Sequence, residues 1–322
     1  MTGVRWLCVM ALASISAFAQ NPIRFSSGTA AVRVDVLVTS GNRPVPGLKA
    51  SDFELRDNGV IQQITDVSQE MLPLNVFCVL DLSSSVNGQP LVRLKDATGS
   101  LFGTLRENDR AALMTFADRL VLHAPLTSDT GRLRGLLGGL KAGGQTSFLD
   151  ATFAALALRE SDERRALMLL FSDGEDTSSW LRAQPVIESA RRTDVVIYPV
   201  TIRKPRVSVS GVSNSASSFN ITRYQQKVVA GDDVPEKLLE ELAEETGGRV
   251  IYVENDEKLQ ATFVQVLSEF RQRYVLSYSP ANVTADGWHT IDVTITGKRA
   301  QVKARRGYAA EPASRGGAAK EQ

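Results

Sequence analysis

The residues best suited to do chemistry are Asp81, Ser83 and Ser85, in the run Leu80-Asp81-Leu82-Ser83-Ser84-Ser85. They follow Val76-Phe77-Cys78-Val79-Leu80, an apolar stretch that reads as a buried strand. Alternate spacing in an extended turn lets one carboxylate and two hydroxyls converge on a point beyond the strand end. Hard oxygens of this kind suit a divalent cation, Mg²⁺ foremost, with Mn²⁺ or Ca²⁺ also accommodated. The only histidines are His123 and His289, so no histidine cluster competes for the metal.

Two later segments end in the same kind of place. Gly143-Gly144-Gln145-Thr146-Ser147-Phe148-Leu149-Asp150-Ala151 is a glycine-rich loop that opens a helix. Leu169-Leu170-Phe171-Ser172-Asp173-Gly174-Glu175-Asp176-Thr177 is a second apolar strand running into an acidic turn. Each has a plainer explanation when taken singly. Asp or Ser after a strand caps the next helix, and Asp-Gly is a common turn. Asp150, Glu175 and Asp176 could ring the site and repel an acidic ligand. The plainer reading is preferred for them: Asp150 ties the glycine-rich loop to a neighbouring strand, and Glu175 and Asp176 are solvated.

These loops need elements to position them. Apolar strands are expected at 74–81, 110–117, 120–123, 165–172, 194–201 and 249–253. Helices are expected at 90–105, 130–140, 148–158, 183–192, 235–246 and 258–272. Several of the strands are apolar on both faces, as when helices cover both sides of a parallel sheet. The expected fold is α/β, a doubly wound and mostly parallel sheet over 74–272, with ligands gathering at the carboxyl ends of its strands.

Ahead of it, residues 20–73 read as a small β unit. Val32, Val34, Val36 and Val38 alternate along one face, and Asn58-Gly59 joins two strand-like runs as a hairpin. Residues 273–310 return to strand patterns. They are expected to pair with the N-terminal unit as one small β-domain, and two separate β flaps are the alternative. Within 204–226, Ser208–Ser218 reads as a surface insertion, and 311–322 as a disordered tail.

Taken in order, the three loops resemble the metal-ion-dependent adhesion site of von Willebrand factor A domains: Asp-x-Ser-x-Ser, then Thr in a Gly-Gly loop, then Asp after a later strand. The resemblance runs from about Leu74 to Arg271. It implies that Ser83, Ser85 and Thr146 meet the cation directly or through water, while Asp81 and Asp173 hold coordinated water and supply charge. One open position would then accept an Asp or Glu carboxylate of a partner protein. Gln145, between the glycines and Thr146, departs from that pattern. A narrower resemblance is to the VWFA-related proteins of Acidobacteria. It is carried by Arg33-Val34-Asp35-Val36-Leu37-Val38, Pro44-Val45-Pro46-Gly47-Leu48 and Asp52-Phe53-Glu54-Leu55 at the front. At the back it is carried by Arg273-Tyr274-Val275-Leu276-Ser277-Tyr278 and Val302-Lys303-Ala304-Arg305-Arg306-Gly307-Tyr308. It implies export and a binding role.

Export is also expected from the first residues. Arg5, the apolar run Trp6 to Phe18 and Ala17-Phe18-Ala19 make a signal peptide cut after Ala19, with a retained anchor as the alternative. The run is shorter than the ~20 residues that span a bilayer. Cleavage would remove Cys8 and leave only Cys78, so no internal disulfide is expected and a periplasmic, envelope or secreted location fits. The formal charge is +1, with no basic block for nucleic acid or membrane surfaces.

An enzyme is not expected. Gly139–Thr146 approaches a phosphate-binding loop, but Gln145 stands where the lysine belongs and a helical segment precedes it. A Mg²⁺-dependent hydrolase would need more carboxylates and a general acid or base. A metal-independent envelope scaffold is the remaining alternative.

Overall fold

The computed structural model describes residues 31–310, apart from 42, 70–71, 161, 173–175, 203–233, 285 and 298. The expected signal peptide, the serine-rich segment 208–218 and the tail 311–322 therefore lie outside the described residues. Among those described, no helix is long and apolar enough to cross a membrane.

The N-terminal unit contains β1 (Val32–Ser40), β2 (Arg43–Pro44), β3 (Phe53–Asp57), β4 (Val60–Gln62) and β5 (Ile64–Gln69). The middle of the chain runs β6 (Leu74–Asp81), α1 (Gln89–Gly103), β7 (Arg110–Phe116), β8 (Leu120–Thr127), α2 (Thr130–Leu137) and α3 (Phe148–Leu156). It continues through β9 (Arg165–Phe171), α4 (Ala183–Arg192), β10 (Val196–Ile202), α5 (Val234–Thr246), β11 (Ile251–Val253) and α6 (Leu259–Arg271). The chain then makes β12 (Tyr274–Tyr278), β13 (Gly287–Ile295), β14 (Gln301–Ala304) and β15 (Gly307–Ala310).

The central sheet has the order β11-β10-β9-β6-β7-β8. It is parallel except for β8, which pairs antiparallel with β7. All eight residues of β6 are buried. Their side chains alternate between two cores because successive residues of a strand face opposite sides. Val76, Cys78 and Leu80 pack with Leu94, Leu101 and Phe263 of α1 and α6. Phe77 and Val79 pack with Ala151, Val186 and Leu242 of α3, α4 and α5. Each fully buried large apolar side chain contributes about 1.5–3 kcal/mol, so this doubly covered strand is the chief anchor of the fold. Because β6 lies between β7 and β9, the chain winds outward from it in both directions. The crevice beyond its carboxyl end is therefore where a ligand can reach.

The terminal segments form a β-sandwich. One sheet runs β14-β1-β12-β5, with β2 on β1, and the other runs β15-β13-β3-β4. Each draws strands from both ends of the chain, as in the pairings Val34↔Leu276 and Leu55↔Val293. Val34, Val36, Leu55, Tyr274, Leu276 and Val293 fill the space between them. The β3–β4 hairpin turns at Asn58 and Gly59, with φ of 47° and 80°, the left-handed pair a two-residue hairpin requires.

Buried polar groups join the sandwich to the central sheet. Arg273, fully buried two residues beyond α6, donates Nη1 to Tyr198 Oη at 3.1 Å. Its Nη2 donates to the carbonyls of Gly247 at 2.7 Å and Asp35 at 3.1 Å. Arg165, at the start of β9, donates Nε to Asp35 Oδ1 at 2.8 Å. Arg191 of α4 binds Glu245 of α5, which also pairs with Arg306 at 3.3 Å.

Candidate metal centre

Asp81 closes β6 and is completely buried. Its Oδ1 accepts the Ser83 N–H at 2.8 Å, and its Oδ2 accepts the Ser172 hydroxyl at 2.7 Å. The first bond shapes the Asp81–Ser85 turn, and the second ties it to the end of β9. Ser83 is in extended conformation (φ −63°, ψ 171°), followed by one short helical turn at Ser84–Val86. Val86 is buried in the core and pins that turn. The hydroxyls of Ser83 and Ser85 lie 3.0 Å apart, so the alternate spacing does bring them together.

The glycine-rich loop is laid against this turn by main-chain bonds. Gly143 N–H donates to Leu82 O at 2.7 Å, and Ser84 N–H donates to Gly144 O at 3.0 Å. Gly144 has φ +91°, where side chains are disfavoured. The Gln145 N–H donates to Asp118 Oδ1 at 2.7 Å. Gln145 is therefore held through its main chain, whatever its side chain.

Thr146 is buried and pinned on both main-chain groups. Its N–H donates to Thr177 Oγ1 at 3.0 Å, and its carbonyl accepts the N–H groups of Thr177 at 2.9 Å and Ser178 at 3.0 Å. No hydrogen bond among the described residues engages its hydroxyl, which leaves that oxygen for a ligand. Ser147 Oγ donates to Ala117 O at 2.6 Å, so the loop after β7 is joined as well.

Asp173 lies outside the described residues, as does Glu175. The structure thus brings together four of the five expected ligands, Asp81, Ser83, Ser85 and Thr146, on loops bonded to one another. Asp176 differs from the solvated side chain expected from sequence. Its carboxylate accepts the Leu149 N–H at 2.8 Å and the Ser179 N–H at 3.0 Å. Leu149 is in the first turn of α3, where unpaired N–H groups and the helix dipole favour a carboxylate. Asp150 accepts the N–H groups of Trp180 at 3.0 Å and Leu181 at 2.9 Å. It ties α3 to the loop after β9, rather than the glycine-rich loop to a strand.

Asp118 was not singled out by the sequence. It lies in a plain turn between β7 and β8, and no local spacing marks it. Its only signal is position, at a third strand end on the same edge of the sheet.

Among the described residues, no group of three His, Cys, Asp or Glu side chains could hold a metal ion. A cation here would find, among the described residues, hydroxyls together with the buried carboxylate of Asp81. That donor set is all oxygen and mostly neutral, which fits a hard divalent cation and leaves it electrophilic toward an external anion. Trp180, 95 % exposed, stands on the loop beside this cluster.

Comparison with known proteins gives matches of three kinds. The sequence profile of the von Willebrand factor type A domain matches residues 76–175. The uncharacterized protein sll0103 of Synechocystis is 25 % identical over 240 residues, covering 73 % of this chain and 50 % of that protein. The inter-alpha-trypsin inhibitor heavy chain H4 of Bos taurus is 24 % identical over 248 residues, covering 72 % of this chain and 24 % of that one. The chain spans half or less of the length of these relatives. Among solved structures, proximal thread matrix protein 1 from the mussel byssus, described with zinc in its MIDAS motif, aligns with a TM-score of 0.48 at 16 % identity. That alignment covers 66 % of this chain and 49 % of the mussel protein.

Proposed function

Because the chain carries a von Willebrand factor type A domain, we propose that it is an exported protein-binding module that docks its partner through a divalent cation. The observation that supports this reading is that Asp81, Ser83, Ser85 and Thr146 stand on loops cross-bonded at the switch point of the sheet. We propose Asp173, next to Ser172 in sequence, as the fifth ligand residue.

A bound Mg²⁺, Mn²⁺ or Ca²⁺ would supply an open coordination position for an Asp or Glu carboxylate of the partner. The chain's own residues do the rest. Asp81 holds the turn and supplies negative charge from a buried position, while the serine and threonine hydroxyls offer neutral oxygens. Few carboxylates on the protein side preserve the attraction for an external one. Trp180, exposed on the loop whose N–H groups bind Asp150, offers an aromatic surface of the kind that anchors protein interfaces.

We propose no catalytic role for this site, since among its described residues no histidine or other general acid stands beside the serine hydroxyls. Turnover of phosphoester substrates with Mg²⁺, abolished in Asp81→Ala, would reverse that reading.

Calorimetric titration of the purified protein with Mg²⁺, Mn²⁺ and Ca²⁺ tests the metal site. Saturable binding lost in Asp81→Ala and weakened in Ser83→Ala is expected. Absence of binding, or binding untouched by both substitutions, would leave a metal-independent scaffold instead.

A further inference from the structure

A second site lies at the other end of the central sheet. A cleft of about 630 Å³ opens between the β-sandwich and the segment joining α4 to β10. Its wall includes Arg33, Arg159, Arg192, Arg305, His289 and Tyr308. Against these four arginines stands one aspartate, Asp194, which Arg159 already engages through Nη2 at 2.7 Å. Arg33 and Arg192 are exposed and carry their charge to the cleft edge. Among the described residues, Arg33 donates to a carbonyl, that of Glu163 at 3.2 Å, and to no carboxylate. Arg305 likewise spends its hydrogen bonds on carbonyls, those of Gly307 at 2.5 Å and Arg191 at 3.1 Å. Burial pushes its pKa down, with Asp194 and Asp35 opposing that shift. An added anion would relieve this desolvated charge.

His289 is 1 % exposed and sits on a buried polar network. Its Nδ1 lies 2.7 Å from Asp57 Oδ1, while the hydroxyls of Tyr278 and Tyr308 donate to Asp57 Oδ2 at 2.8 and 2.9 Å. Asp57 accepts all three, which fixes the ring and assigns the proton to Nδ1. The other ring nitrogen, Nε2, is buried with no hydrogen-bond partner among the described residues. With the proton on Nδ1, Nε2 presents a lone pair, so the ring serves as a neutral wall of the cleft and not as a donor to an anion. Val32, Pro280 and Val283 give the same cleft an apolar wall.

From this juxtaposition we infer that the cleft is a binding site for a small organic anion. Its carboxylate or phosphate group is held by Arg33, Arg192 and Arg305, and its apolar body lies on the Val32–Val283 wall beside the His289 ring. Guanidinium forks match both acid groups. The site is independent of the cation loops, being built at the amino ends of the strands.

The chain's two histidines make the test direct. The imidazole ¹⁵N resonances of purified protein are followed during titration with benzoate, phenyl phosphate and, as an uncharged control, benzyl alcohol. Saturable movement of the His289 signals with benzoate, phenyl phosphate or both is expected, with His123 unmoved. A response to benzoate alone identifies a carboxylate site, and to phenyl phosphate alone a phosphate site. In the Arg33→Gln/Arg192→Gln double variant, affinity should fall at least about tenfold, with the His123 signals reporting an intact fold. The inference is overturned if neither anion moves His289 saturably. An equal response to benzyl alcohol, or unchanged affinity in the double variant, would overturn it too.

Discussion

Asp118 and Gly144 fit together with no room between them: a Cβ on Gly144 would lie 2.3 Å from Asp118 Oδ2. The same carboxylate holds the Gln145 N–H at 2.7 Å. This contact sets the path of the loop that delivers Thr146. Gly144→Ala would displace Asp118 and strain φ +91°. Asp118→Ala would remove a charge-assisted hydrogen bond worth about 1.5–3 kcal/mol. Both variants should fold and should bind Mn²⁺ roughly tenfold more weakly, since 1.4 kcal/mol is a factor of ten in affinity. Calorimetry beside a urea melt separates the two effects, and wild-type affinity in both variants would detach Asp118 from the site.

Gly248 gives a prediction of a different kind. A Cβ there would meet the carbonyl oxygen of Ile197 at 1.9 Å, and that oxygen belongs to a strand of the central sheet. The neighbour is main chain and cannot swing aside. Gly248→Ala should therefore cost about 3 kcal/mol or more, measured as a lower urea midpoint.

Breaking the junction at Asp35 should be nearly as costly. Arg165→Ala removes the Nε bond to Asp35 Oδ1 and leaves a largely buried carboxylate short of its partner. A loss of about 3 kcal/mol is expected. Cys78 supplies the readout: it is fully buried, and burial raises its thiol pKa far above the ordinary value. Thiol labelling should be negligible in the native protein and should speed up in Arg165→Ala in proportion to the opened population.

His123 sets an acid limb on stability. Its Nε2 lies 2.8 Å from Thr115 Oγ1, and partial burial lowers its pKa below 6.5. Folding therefore favours the neutral ring. That contribution is complete above pH 6.5 and is lost as pH falls from there through the folded-state value. Urea midpoints recorded between pH 8 and about pH 5 should decline more steeply for the wild type than for His123→Gln.

The α/β fold was legible because its signal is local. Eight buried residues in a row at β6, and similar runs at β7 and β9, require helices on both faces wherever they pair. What failed was detail at the margins. β8 continues to Thr127 through Pro125, which an edge strand tolerates because one side of its backbone needs no partner. β5 was not expected, since its residues are mostly half-exposed and lack a clean alternation. Which strand of one chain end meets which strand of the other could not be chosen from sequence, because periodicity shows which face of a strand is buried but not which strand it meets.

The candidate site was legible only in part for a related reason. Asp81, Ser83, Ser85 and Thr146 announce themselves by spacing and by their place after strands or glycines. Asp118, Asp150 and Asp176 act on main-chain N–H groups of distant segments, and such contacts leave no trace in residue type.

The pairing of the two chain ends also fixes an order of events. Arg273 bonds to the carbonyl of Asp35, 238 residues earlier in the chain. Beyond the local β1–β2 and β3–β4 pairings, strands β1, β3 and β5 have no sheet to join until β12, β13 and β14 exist. The contacts within 74–272 close shorter loops and are favoured to form first, leaving the β-sandwich as the final step of assembly. A chain released at residue 272 would thus hold a central sheet already wound, with its first strands still waiting for their partners.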